Sequence, residues 1–153
     1  MDLWRVAGRS EQVDSDTYYR VSKVGRMWAI EVPIVGVATQ GRTKKESFMM
    51  IADAIESLVN KPWFAIKVHP GKGDYFEIDS LDQAALTAFL LRRKMTLEGL
   101  SLSAVASRLG AASLNAYARY EQGRTVPTIE KLSLLIASVS GTGDFVLSDS
   151  QSR

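Results

Sequence analysis

The sequence predicts an α+β fold in two modules, strands around one helix followed by an all-α half. Up to about residue 80, apolar residues recur at every second position between Gly and Pro breaks, interrupted by one stretch of three- and four-residue spacing. Beyond that point the spacing is helical throughout, and Ala, Leu and Ser dominate. The charge balance shifts at the same place: residues 1–80 hold eleven Lys/Arg and eleven Asp/Glu, residues 81–153 eight and six. These observations divide the chain into an irregular arm (1–16), an α+β module (17–80), a helical module (81–140) and a polar tail (141–153).

In the arm, Trp4 is the only large apolar anchor. Tyr19 and Val21 alternate with Arg20 and Ser22, which predicts a strand with one buried face. Gly25-Arg26 makes a turn into a second strand, Met27 to Val32, with Trp28, Ile30 and Val32 on one face. Pro33 ends that strand because it lacks an N–H. Val35, Val37 and Thr39 form a third alternating run, closed by Gly41. Thr43-Lys44-Lys45-Glu46 has the form of a capping box and opens a helix with Phe48, Ile51, Ala52, Ile55, Leu58 and Val59 on one stripe. Pro62 is expected to stop it. Phe64, Ile66 and Val68 alternate as a fourth strand, His69 to Asp74 turns, and Tyr75 to Ile78 returns as a fifth. The order is β-β-β-α-β-β, with the helix on one sheet face.

In the second module, Ser80-Leu81-Asp82-Gln83 is a candidate capping box for a helix to about Lys94. Glu98-Gly99-Leu100 breaks it, and Ser101 can cap a short helix ending at Gly110. A third helix runs from about Ser113 to Gln122, with Gly123 as its stop. Pro127-Thr128 starts a fourth, whose buried face holds Ile129, Leu132, Leu135, Ile136 and Val139. Phe145-Val146-Leu147 is one short strand in the tail.

Composition narrows the chemistry. Of 153 residues, 46% are hydrophobic, too many for a disordered chain, and no run of about 18 apolar residues could span a bilayer. The first residues lack a signal-peptide core, so a cytoplasmic protein without a membrane partner is expected. There is no cysteine, which excludes disulfides and thiolate chemistry, and the single histidine, His69, argues against a zinc site or histidine-driven catalysis. Glu46 and Asp53 share a solvated helix face, Glu31 lies on another element, and no paired carboxylates sit at a strand end. Gly71-Lys72-Gly73 lacks the spacing of a phosphate loop. The reading is a binding protein and not an enzyme, with no cofactor and no metal.

Two short helices joined around a glycine, with a supporting helix behind, have the proportions of a helix-turn-helix DNA reader. Ala106 would sit at the helix crossing, with Leu109, Leu114, Tyr117 and Tyr120 fixing the angle. Ser113, Asn115, Ala116 and Arg119 are then free to face a groove, where Asn suits adenine and Arg suits guanine or a phosphate. Arg108, Gln122 and Arg124 flank that surface and could position the DNA backbone.

The stretches Leu100 to Gly110 and Tyr120-Glu121-Gln122-Gly123-Arg124-Thr125-Val126-Pro127-Thr128 resemble the Xre/phage-repressor type of helix-turn-helix. Leu102 stands where that class commonly has Gln, and one extra residue lies between Gly110 and Glu121. The phrase Ser113 to Glu121 accommodates that insertion. Together with Val32-Pro33, Val37 to Thr43 and Ala54-Ile55-Glu56-Ser57-Leu58, it is similar to the HicB antitoxins of HicA/HicB toxin–antitoxin pairs. The chain keeps that family's Thr39, Gly41 and Thr43 and lacks its cysteine. The resemblance implies a degenerate ribonuclease-H-like β-β-β-α-β module followed by the helix-turn-helix. It implies an antitoxin that neutralises a HicA-type mRNA interferase and represses its own operon by binding operator double-stranded DNA. Toxin contact would involve acids of the first module such as Glu31, Asp53 and Glu77. Operator reading implies a homodimer or tetramer. The alternative is a phage-repressor-like transcription regulator whose N-terminal module senses a ligand or a protein.

Overall fold

The computed structural model describes residues 5–8, 20–110, 114–140 and 145–148. Helix and sheet are mixed, and the described chain falls into two compact units. One holds the described residues up to Leu81 together with those from Val146 onward; the other runs from Asp82 to Phe145.

In the first unit, β2 (Arg20–Val24), β3 (Met27–Val32) and β4 (Val37–Gly41) form an antiparallel meander. Val21 pairs with Ile30, Ile30 with Thr39 and Val32 with Val37. Val21, Ile30 and Val32 are fully buried, as their alternation predicts, and Glu31 is exposed on the opposite face. A single 3₁₀ turn, Pro33–Val35, carries the chain from β3 to β4.

The helix α1 (Lys44–Val59) lies on the inner face, with Ser47, Ile51 and Ile55 at 0% exposure. Each fully buried aliphatic side chain of this kind contributes about 1.5–3 kcal/mol. Thr43 Oγ1 accepts from Glu46 N at 3.0 Å, as the capping box requires. The reciprocal bond differs from the usual box: Glu46 Oε2 accepts from Arg42 N at 2.7 Å, one residue earlier than the cap itself. The helix ends before Pro62, because Asn60 adopts a left-handed conformation (φ 49°) and its N–H bonds to Glu56 O.

The expected fourth strand starts later than its alternation suggests. Phe64 N closes a turn onto Lys61 O, and Ile66 N donates to the Glu56 carboxylate at 2.7 Å instead of to a ladder. Phe64 and Ile66 are buried, but β5 begins at Lys67 and runs to Pro70, paired with β6 (Phe76–Asp79). His69, expected in the turn, is a strand residue, half-buried and 3.0 Å from Asp79 Oδ2. The five strands do not make one continuous ladder either. The β5–β6 hairpin touches β2 through one bridge, Arg20 to Tyr75, and through the bond from Val21 N to Asp74 O. Lys44 fastens the hairpin's turn: its Nζ donates to Gly73 O at 2.7 Å and lies 5.7 Å from the centre of the Trp28 ring.

The arm and tail hold one further strand pair. β1 (Arg5–Gly8), inside the segment expected to be irregular, pairs with β7 (Phe145–Ser148). A four-residue strand whose partner lies at the other end of the chain leaves no local periodicity to read. The rest of the arm and of the tail lies outside the described residues.

The second unit is helical: α2 (Gln83–Leu97), α3 (Leu102–Leu109), α4 (Leu114–Glu121) and α5 (Ile129–Ser140). The cap of α2 is Asp82, not Ser80; its Oδ1 accepts from Ala85 N at 3.0 Å, while Ser80 is buried. Ser101 caps α3 as expected, accepting from Ala104 N at 3.2 Å. Thr128 does the same for α5 through Lys131 N at 3.3 Å.

Gly41 limits the first unit most tightly. A Cβ there would strike Ser47 N and lie 2.8 Å from Glu46 C and 2.9 Å from Ser47 Cα, all backbone atoms that cannot swing aside. Gly41→Ala is expected to destabilise the protein by about 1–3 kcal/mol, the range for overpacking. Urea unfolding checks it, and an unchanged transition midpoint would contradict the clash.

Candidate nucleic-acid interface

The site is built on α4, whose position is set from its buried side. Tyr117 is fully buried, and its hydroxyl donates to Met95 Sδ of α2 at 2.6 Å. Arg92, also on α2, donates from Nη1 to Glu121 O at 2.9 Å, satisfying a carbonyl in the last turn of α4. After that turn the chain makes a Schellman closure: Gly123 N bonds to Tyr120 O and Arg124 N to Arg119 O, each at 3.0 Å. Gly123 has φ +67°, and a Cβ on it would lie 3.4 Å from Ala84 O and 3.5 Å from Ala85 Cα and Ala88 Cβ. Glycine is favoured here by its left-handed backbone, since a Cβ would meet α2 only at ordinary contact distances.

Burial of Tyr117 leaves the opposite side of α4 to solvent. Asn115, Arg119 and Gln122 follow at i, i+4 and i+7, so they share one stripe, and all three are exposed. Arg124, just past the Schellman closure, is exposed as well. Two acceptor-donor amides and two guanidiniums on one stripe and its exit are suited to base edges and phosphates. Ala116 lies in α4, and Ser113 falls outside the described residues.

Arg108, at the last turn of α3, donates from Nη1 to Ser138 O at 2.9 Å and so holds the C-terminal turn of α5. A guanidinium carries five N–H donors, and this bond uses one. Val105 is the buried residue of α3, and Ala106 is half-buried. Arg92 and Met95, which fix α4, were not singled out as site residues from the sequence. Their role depends on the approach of α2 and α4, which no local pattern in the sequence shows.

The acids expected to meet a protein partner lie on separate elements. Glu31 is on the outer face of β3, opposite Arg20 and Ala38; Asp53 is exposed on α1, which covers the inner face. Glu77 is half-buried on β6, opposite His69. Among the described residues no group of three or more His, Asp or Glu is placed to hold a metal ion, and no helix is long and apolar enough to cross a membrane.

A helix-turn-helix family model matches residues 91–137, which span the later part of α2 and nearly all of α5. That match and the geometry place residues 91–137 in the helix-turn-helix class, which points to DNA binding and regulation. No curated protein and no solved structure is significantly similar to the chain.

The seat of Tyr117 carries a pH signature. Burial, with the nearby charge of Glu121 adding to it, pushes the phenol well above its ordinary value of 10.0. The folded state therefore keeps a proton that the unfolded chain releases. Its stabilising contribution is complete below the unfolded value and is lost as pH rises from about 10 toward the folded value. Thermal unfolding from pH 8 to 11 should show a steeper alkaline fall for the wild type than for Tyr117→Phe, which has no group to ionise there.

Proposed function

We propose that the chain is a HicB-type antitoxin: an autoregulatory repressor that binds operator DNA through α3 and α4 and a small basic mRNA interferase through its N-terminal unit. The observation that carries the DNA half is the exposed stripe of Asn115, Arg119 and Gln122, directly opposite the buried seat of Tyr117. In this reading α4 is the recognition helix, with Asn115 and Arg119 at base edges and Gln122, Arg124 and the remaining donors of Arg108 at the phosphates. The sequence reading adds Ser113 and Ala116 to the residues proposed to meet the groove.

Support for the N-terminal half is the motif resemblance together with the antiparallel β2–β3–β4 meander, α1 on its inner face, and a return hairpin beside β2. We read that arrangement as a degenerate ribonuclease-H-like module with a binding role, working in the cytoplasm without cofactor. A half-site reader of this size gains affinity by acting as a homodimer or tetramer on a pseudo-palindrome.

The double substitution Asn115→Ala/Arg119→Ala tests the DNA half. Against a duplex taken from upstream of the chain's own gene, fluorescence anisotropy should show a loss of at least about tenfold, since each specific base contact is worth about 1–3 kcal/mol. Circular dichroism should be unchanged, because both side chains are exposed. Unchanged affinity for that duplex would remove α4 from the interface.

A further inference from the structure

The charges of the first unit are sorted along its length. The β2–β3 turn, the β4–α1 junction and the β5–β6 turn lie at one end, as the antiparallel registers and the bond from Val21 N to Asp74 O require. Lys44 ties them together: its Nζ donates to Gly73 O at 2.7 Å in one turn and lies 5.7 Å from the centre of the Trp28 ring beside another. Lys23, Arg26, Arg42, Lys44, Lys45 and Lys72 gather at this end, six of the nine Lys/Arg between residues 20 and 81. Of the seven acids in the same span, two are here, Glu46 and Asp74, and Glu46 spends an oxygen on Arg42 N. The other five, Glu31, Asp53, Glu56, Glu77 and Asp79, lie farther along β3, α1 and β6.

Five of the six cations are exposed, and Lys44 is half-buried. Among the described residues, none of the six is in an ion pair. Protein surfaces ordinarily intersperse the two signs of charge, and like charges gathered at one end of a small unit repel one another. A polyanion lying across them relieves that repulsion. The large apolar side chains exposed nearest to this end, Val24, Met49 and Tyr75, sit on β2, on α1 and beside β6. They are too dispersed to supply the apolar centre that a protein interface is built on.

We infer that this end of the first unit is a contact for the phosphate backbone of duplex DNA, independent of base sequence and additional to the stripe on α4. Lysine and arginine side chains from three turns suit a run of phosphates, which demands charge more than shape. The chain itself argues for a duplex as the source of those phosphates. Residues 91–137 match a helix-turn-helix family model, and only Ser80 and Leu81 stand between β6 and the Asp82 cap of α2. A duplex held by the second unit is therefore at high local concentration for the first. The inference rests on the reading that the chain binds duplex DNA, and it supplies phosphate contacts beyond those of the helical unit.

The test uses the full chain and a duplex from upstream of its own gene, with affinity followed by fluorescence anisotropy over a series of salt concentrations. Lys45→Gln/Lys72→Gln should bind more weakly and flatten the plot of log affinity against log salt by about two, since each phosphate contact contributes about 0.9 to that slope. Arg26→Gln/Arg42→Gln, drawn from the same end, should do the same. Lys61→Gln/Lys67→Gln removes equal charge from exposed positions elsewhere in the unit and should keep the wild-type slope. Equal flattening by all three pairs would reduce the effect to net charge and overturn the site, as would an unchanged slope in both pairs from this end. Flattening seen only with single-stranded RNA of the same sequence would overturn duplex DNA as the occupant. The reading of α4 is separable: unchanged affinity in Asn115→Ala/Arg119→Ala removes α4 from the interface, whereas the slopes report on this end of the first unit.

Discussion

Everything α4 can present to a duplex depends on how closely it and the turn after it approach α2. Three contacts set that approach. Tyr117 is buried whole against Met95, Arg92 holds the Glu121 carbonyl, and Gly123 brings backbone within van der Waals distance of Ala84, Ala85 and Ala88. Together they fix the position, the end and the rotation of α4. Rotation matters most, because turning the helix by one residue would carry Asn115 and Arg119 away from the exposed side. Of the small side chains of α2, that of Ala88 faces this turn, its Cβ 3.5 Å from where a Cβ on Gly123 would stand.

The overall charge conceals a difference between the two halves of the chain. The formal net charge of +2 is small for a DNA reader. It is the sum of a neutral first half and a mildly basic second half. A reader this weakly basic makes few phosphate contacts per copy, and the proposed homodimer or tetramer would multiply them on paired half-sites.

Local chemistry made much of this legible in the sequence. Thr43 and Ser101 accept bonds from the N–H groups three residues on, so their caps could be read from composition and spacing. Gly123 and Pro127 bracket the α4–α5 connection for reasons any chain would share. The stripe of Asn115 and Arg119 was visible once Tyr117 was assigned to the core. What stayed hidden depends on distant partners. The β1–β7 pair joins the two ends of the chain, and the Arg92–Glu121 and Arg108–Ser138 bonds join residues about thirty positions apart. The late start of β5 was hidden too, because the Glu56 carboxylate takes the Ile66 N–H that alternation assigns to a ladder. The apolar exposure of Met49 and Met50 could not be told from core packing until α1 was seated.

The account turns on the exposed side of α4 being the surface that meets DNA. An amide chemical-shift titration of the full chain with duplex DNA from upstream of its gene tests that claim most directly. The predicted result is perturbation concentrated from Asn115 to Arg124, with the α1 amides from Glu46 to Asn60 unmoved. Perturbations centred on α1 or on the β2–β4 sheet, with α4 silent, would contradict it.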